Sequence, residues 1–149
     1  MKRLYIALIS VVTVTLIIGI GIGIIFLGQA PISQAAIEME LNPSPPLSIK
    51  SGEELSFEIS LRNTPGFKAT AEGVEGLLEL PNGFIDKSLN TQTRQFIFGR
   101  ITPGEGSHYS ITIAAANTVE PGEYHAKLTV WGANISTNEV DLKIMVMQN

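Results

Sequence analysis

Three glutamates stand at three versions of one local signal. They are Glu53 in "SGEELSFEIS" (51–60), Glu105 in "PGEGSHYSITI" (103–113) and Glu123 in "PGEYHAKLTV" (121–130). Two carboxylates can share acid–base work when they meet in a cleft that pushes their pKa values apart. Here each glutamate follows a glycine beside Pro or Ser and precedes its own alternating stretch. Glycine makes the turn, and the glutamate sits at its exit, where water is available. The three read as solvated turn residues and not as a catalytic pair. His108 and His125 are the only histidines, and both fall on the polar parity of their stretches. If those stretches faced one another, the two imidazoles and Glu123 would approach a metal site. Such sites usually need three or four ligands, so surface histidines are the simpler reading. Met145 and Met147 share the outward parity of the last stretch. Thioethers suit copper(I), but an edge strand under a partner, or plain surface scatter, accounts for them as well. Ser107 and His108 are sequence neighbours, which puts them on opposite faces of a strand and rules them out as a nucleophile–base pair. No GxSxG, HExxH or phosphate-loop pattern is present. The chain is therefore expected to have no catalytic residue, no metal and no cofactor, and not to be an enzyme.

Two further residues bear on partners. Asn134-Ile135-Ser136 is the only N-x-S/T sequon without proline, and Asn134 is a candidate glycosylation site in a cell with that machinery. Trp131 lies in the same turn. A lone tryptophan there can stack on a sugar or a partner, or cap one end of a core.

The elements that must position these residues differ sharply between the two ends of the chain. Leu4 to Leu27, "LYIALISVVTVTLIIGIGIGIIFL", carries no charge. About 20 such residues cross a bilayer core as a helix. A helix is viable in lipid because it satisfies its own backbone polar groups. The run is longer than the apolar part of a secretory signal, although Ser33-Gln34-Ala35 before Ala36 is an acceptable cleavage sequence; length favours an uncleaved signal anchor. Lys2 and Arg3 precede the run and Glu38 is the nearest charge after it, which keeps residues 1–3 cytoplasmic and sends the body outside. "GIGIG" at 19–23 lies inside this run and is no dinucleotide loop. Gly19 and Gly23 have the spacing that lets two membrane helices approach closely.

Residues 28–36 read as a stalk, and 37–149 as one extracytoplasmic domain. The overall charged fraction is 16% and the mean hydropathy +0.23, both displaced from soluble-protein values by the apolar run. The body has eight cations against fourteen carboxylates and no basic stripe, which argues against nucleic acid and against anionic lipid head groups. Cysteine is absent, so the body must hold itself together by its core alone; its size allows that.

The period in the body is two almost throughout. Strands are predicted at about 37–41, 54–62, 74–80, 94–101, 107–116, 123–132 and 138–147. Their shared parity predicts a core of Leu55, Phe57, Ile59, Leu61, Leu78, Leu80, Phe96, Phe98, Ile111, Ile113, Leu128, Val130, Leu142 and Ile144. Turn residues fill the gaps: "NTPG", "PNG", "TPGEG", "EPGE" and "WGAN". Seven strands at near-regular spacing predict an immunoglobulin-like β-sandwich, with a barrel or jelly roll as the alternative. Tyr124, just past a turn, stands where a tyrosine corner places its hydroxyl against nearby backbone.

"SGEELSFEISLRNTPGFKATAEGVEGLLELPNGF", "FGRITPGEGSHYSITI" and "VEPGEYHAKLTV" together resemble the CARDB-like and alpha-galactosidase-associated sandwich domains of exported bacterial and archaeal proteins. The outline is a Gly-Glu turn and strand, an "RNTG-like" turn, an "LPxGF" element, a "PGE" turn and a "PGxY" turn. Arg62-Asn63-Thr64 is followed here by Pro65-Gly66, one residue longer than that turn. The resemblance covers about residues 48–147 and rests mostly on turns. It implies a non-catalytic adhesion, spacing or accessory module and carries over no site residue. The expectation is a single-pass protein of the cell envelope that binds or scaffolds another envelope protein. The alternatives are an accessory subunit of a membrane enzyme complex, or a carbohydrate-binding module using Trp131.

Overall fold

The structure is a computed structural model and describes residues 33–66 and 68–148. The predicted membrane segment 4–27, with Gly19 and Gly23, and the stalk from 28 to 32 lie outside the described residues. Among the described residues every regular element is a strand, and no helix is long and apolar enough to cross a membrane. The described residues form nine strands: β1 (Ile37–Asn42), β2 (Leu47–Lys50), β3 (Glu54–Asn63), β4 (Ala71–Glu79), β5 (Phe84–Asp86), β6 (Thr93–Ile101), β7 (Gly106–Ala115), β8 (Gly122–Gly132) and β9 (Ile135–Met147).

The seven predicted strands are present, and two more join them. β2 has four residues and β5 three, too few to show a period of their own. β4 also starts three residues before its predicted position. Gly73, at φ +58°, sits at a register irregularity, so the buried Ala71 and Val74 are three apart and the alternation is broken.

The strands form two sheets, ordered β1-β3-β7-β5 and β2-β9-β8-β4-β6. All pairs are antiparallel except β2 with β9. The chain moves from the edge of one sheet to the edge of the other across Pro43-Ser44-Pro45-Pro46, where proline supplies no ladder donors. The inward faces share one core. Twelve of the fourteen predicted core residues are buried; Leu55 and Leu80, at strand ends, are only half-buried. The added strands bring Leu47, Ile49 and Phe84 into the same core. Gly76 on β4 faces inward, and a Cβ there would stand 3.2 Å from the Phe98 ring. Glycine at that point makes room for Phe96 and Phe98.

Polar side chains finish what the ladders leave open. Asn63 is fully buried. Its Nδ2 donates to the carbonyls of Ala69 and Ile101, both at 2.9 Å. Its backbone N–H donates to Glu105 O at 3.0 Å, and its carbonyl accepts from Gly104 N–H at 2.8 Å. One asparagine thus ties the "RNTPG" turn to the "TPGEG" turn. The "LPNGF" element has a comparable role at the other end. Gly83 takes φ +88°, where a Cβ would meet Val119 at 2.5 Å, and the turn delivers Phe84 onto Tyr124, ring centroids 5.2 Å apart. The Tyr124 hydroxyl donates to Glu120 O at 3.0 Å, as the tyrosine corner requires. Ser33–Ala36 are docked on the body: Ala35 is buried, its N–H donates to Asn134 O, and Ala36 O accepts from Thr64 N–H.

Asp86 is the one buried carboxylate among the described residues. It accepts from Arg94 Nη1 at 2.7 Å, from the Ser88 N–H and hydroxyl, and from Leu89 N–H. The guanidinium also lies over the Phe96 ring, 5.2 Å from its centroid. Burial pushes the Asp86 carboxyl up; Arg94, Ser88 and Leu89 outweigh it and hold it below its ordinary 3.8.

Two stability measurements follow on the body, residues 33–149. Ile111→Ala removes a fully buried side chain and costs about 2–5 kcal/mol in denaturant unfolding. Thr112→Ala, on the outer face with an exposed bond to Ser56, costs under about 1 kcal/mol. Equal losses would mean that the register is wrong. Asp86→Ala leaves Arg94 without its partner and costs about 3 kcal/mol. Because the Asp86 pKa is depressed, its contribution is fully present above pH 3.8 and fades as pH falls through the folded value. An Asp86→Asn variant should therefore lose less stability on acidification than the parent; an identical acid slope would exclude the ion pair.

Candidate functional site

The three turn glutamates do not meet. Glu53 and Glu105 lie at opposite ends of the β3–β7 ladder, which runs from Glu54↔Ala114 to Arg62↔Gly106. Glu123 is on the other sheet. All three are exposed. Glu105 accepts from the Thr102 hydroxyl within its own turn. The two histidines are equally far from forming a site. His108 is exposed on the outer face of β7, opposite Ser60; His125 is exposed on the outer face of β8. The sandwich lies between them.

His125 does have neighbours, one on its own strand and one on the last strand. Its Nδ1 lies 2.7 Å from Asp141 Oδ2 and its Nε2 3.1 Å from Glu123 Oε1. Glu123 also takes Lys143 Nζ at 2.7 Å, and Lys127 pairs with Glu139 at 2.8 Å. Glu123 and His125 are neighbours two apart on β8; the other three pairs are diagonal across the β8–β9 ladder, where Lys143 stands directly opposite His125 and Asp141 opposite Lys127. The result is an ion-pair ladder along the solvent face. The hydrogen bond to Asp141, then that carboxylate's charge and Glu123, raise the His125 pKa above its ordinary 6.5. The Lys143 bond, with His125, lowers Glu123. Among the described residues no group of three or more ligand side chains could hold a metal. The alternating charges of both strands were readable in the sequence. Their pairing was not, because a register shift between Val130 and Gly132 sets which charges meet.

Trp131 is half-buried on the outer face of β8. It stands opposite Glu75 on β4, which in turn stands opposite Ile97 on β6. Ile97 is 68% exposed. Gln95 Nε2 donates to Glu75 Oε2 at 3.0 Å. Tryptophan, carboxylate, amide and an apolar residue thus lie side by side on one sheet face. Asn134 is half-buried in the hairpin turn. Its Oδ1 accepts from Glu72 N–H at 2.9 Å, and its Nδ2 donates to Ser33 O at 3.0 Å and Thr70 O at 2.8 Å. The amide that would carry a glycan clamps three chain segments, and a glycan on Nδ2 would remove one of its bonds. Met145 and Met147 are not on an edge, as one reading expected: β2 pairs with β9 from Ile144 to Met147. The sequence signalled neither Asn63 nor Asp86 as buried. Their short side chains next to turns look like ordinary turn chemistry until the tertiary partners are known.

The ladder gives a titration test. With its pKa raised, His125 contributes stability that is fully present below pH 6.5 and is lost as pH rises through the folded value. The imidazole resonance of His125, followed by NMR, should titrate with a midpoint above 6.5, and Asp141→Asn should bring that midpoint down. A parent midpoint at or below the ordinary value would contradict the ladder.

No protein-family model matches the chain, and no curated protein matches it. Among solved structures it is similar to a family 123 glycoside hydrolase from Clostridium perfringens, whose analysis concerned glycolipid glycan hydrolysis. The TM-score is 0.51, with 12% identity over 79% of this chain. The chain spans 28% of that hydrolase's length. At that identity the likeness is one of fold alone, and fold does not supply function.

Proposed function

We propose that this protein is a membrane-held, extracytoplasmic binding or scaffolding module of the cell envelope, immunoglobulin-like in design and without catalytic chemistry of its own. The observation that carries the reading is the uncharged run from Leu4 to Leu27 ahead of a cysteine-free body with a continuous apolar core. Such a run is long enough to span a bilayer, and Lys2-Arg3 before it favours an outward body.

The sheet orders support the immunoglobulin-like design. β1-β3-β7 and β9-β8-β4-β6 follow the A-B-E and G-F-C-C′ arrangement of that fold, with β2 as the part of the first strand that crosses to the second sheet. β5 departs from it: it lies beside β7, in the place of D, yet precedes β6 in the chain. The side-chain chemistry supports a non-catalytic role. The carboxylates nearest a histidine are held in a solvent-facing ladder. The partner in this reading is another envelope protein, whether as a scaffolded client or as the core of a membrane complex that this chain accompanies. One observation favours a second reading. Trp131, Glu75 and Gln95 lie side by side on an open sheet face, and an aromatic surface with nearby hydrogen-bonding groups suits a glycan.

The full-length chain is expected to stay in the membrane fraction after carbonate washing, with residues 33–149 open to external protease. A mature N-terminus at Ala36 in the medium would sink the anchor. Co-purification from mild detergent then divides the readings. A stoichiometric envelope partner supports the module. Glycan binding that disappears in Trp131→Ala, without such a partner, supports the second.

A further inference from the structure

One chain segment cannot line both sheets at once. Residues 37–42 edge one sheet as β1, and only from Leu47 does the chain reach the other as β2. β2 then pairs with β9 from Ile144 to Met147. Among the described residues no strand pairs with β9 on that side between Ile135 and Leu142. Unpaired N–H and C=O groups along an edge are a template for one more strand. The far edge of the same sheet is guarded. On β6 the carbonyl of Thr93 accepts from the Thr91 hydroxyl at 2.6 Å, and that of Ile97 from the Tyr109 hydroxyl at 2.8 Å. The uncovered length of β9 shows no such side-chain caps among the described residues.

The seam beside it is incompletely filled. Ile37, Met39 and Leu41 on β1, with Ile135 and Val140 on β9, pack against the core yet stay partly exposed. Two clefts flank the strand. One, of about 250 Å³, lies in the seam between Gln34–Ile37 and Ser136 with Asn138; the other, of about 370 Å³, lies on the solvent face of the β8–β9 ladder, along Glu139–Asp141 beside Lys127. A strand added in line with β2 would cover these half-exposed side chains.

Charge selects the occupant. β9 from 135 to 142 bears Glu139 and Asp141 and no cation; β1 bears Glu38 and Glu40 and no cation. Lys127 and His125 pair with the first two carboxylates, while Glu38 and Glu40 have no cationic partner among the described residues. A second copy of this edge would bring two acidic rims together, which is unfavourable. A strand with alternating cationic and apolar residues fits both sides. Its apolar side chains enter the seam, its cations lie beside Glu139 and Asp141, and the acidic body attracts it at longer range. We propose that β9 between Ile135 and Leu142 is a docking edge for an extended segment of a partner protein with alternating basic and apolar residues.

This assignment rests on the reading of the chain as a binding module. It is tested with the full chain in mild detergent and a synthetic nine-residue peptide of alternating Lys and Val. Amide hydrogen exchange over residues 135–142 should slow by about tenfold or more on adding the peptide. An alternating Glu–Val peptide should leave it unchanged. So should a Lys–Val peptide N-methylated at alternate residues, which keeps the charge and loses the strand donors. The Glu139→Lys, Asp141→Lys double variant should bind the Lys–Val peptide about fivefold more weakly or worse. No protection, or protection that survives N-methylation, overturns the edge. Protection that grows with protein concentration without peptide assigns it to a second copy and overturns the proposal too. A chain that still co-purifies with an envelope protein but ignores the peptide loses this edge and keeps the module.

Discussion

Two sheets with no cysteine between them must be held by side-chain contact and by the loops that join them. That constraint runs through the whole body. Every strand has to give one face to the other sheet, and each buried aliphatic or aromatic side chain contributes about 1.5–3 kcal/mol. Phe84 and Phe96, both fully buried, come from different sheets and anchor different regions of the interface. Phe96 and Phe98 need the space that Gly76 leaves. Tyr109 closes over both rings at 5.3 and 5.0 Å and still places its hydroxyl on the backbone between them.

A core of this kind tolerates few polar groups, and among the described residues the two buried ones, Asn63 and Asp86, bond through most of their polar atoms; only Asn63 Oδ1 has no partner. Asp86 has a guanidinium, a hydroxyl and two N–H donors. Asn63 Nδ2 satisfies carbonyls on two segments, Ala69 in the loop before β4 and Ile101 at the end of β6. The recurrent turn motifs gain a physical meaning from this. The asparagine of the "RNTPG" turn is a cross-link between two loops, the phenylalanine of "LPNGF" is a core residue, and the tyrosine of "PGEY" caps its own turn.

Parity made most of the strand faces legible. The alternation of Phe57, Ile59 and Leu61, or of Leu142, Ile144 and Val146, is decided by burial on one side and needs no tertiary information. Legibility failed where the alternation is interrupted or too short. Glu72-Gly73 shifts the register inside β4, and three residues at Phe84–Asp86 cannot display a period. The candidate sites were less legible than the fold. Which charges meet on the β8–β9 hairpin depends on one irregularity near Trp131. Whether Asn134 stands free or clamps the chain depends on Ser33, Thr70 and Glu72, all distant in sequence. Residue type suggested what each could do, and only the fold decided what each touches.

The parallel pairing of β2 with β9 has a mechanical side. A load applied between residues 33 and 147 pulls these two strands in opposite senses along their common ladder. The four residue pairs from Leu47↔Ile144 to Lys50↔Met147 then bear it together, in shear, and cannot be peeled apart one after another. β1 meets the same pull along its six-residue pairing with β3. Resistance to extension is therefore concentrated in the first two strands, and rupture there is a matter of unfolding rate more than of equilibrium stability.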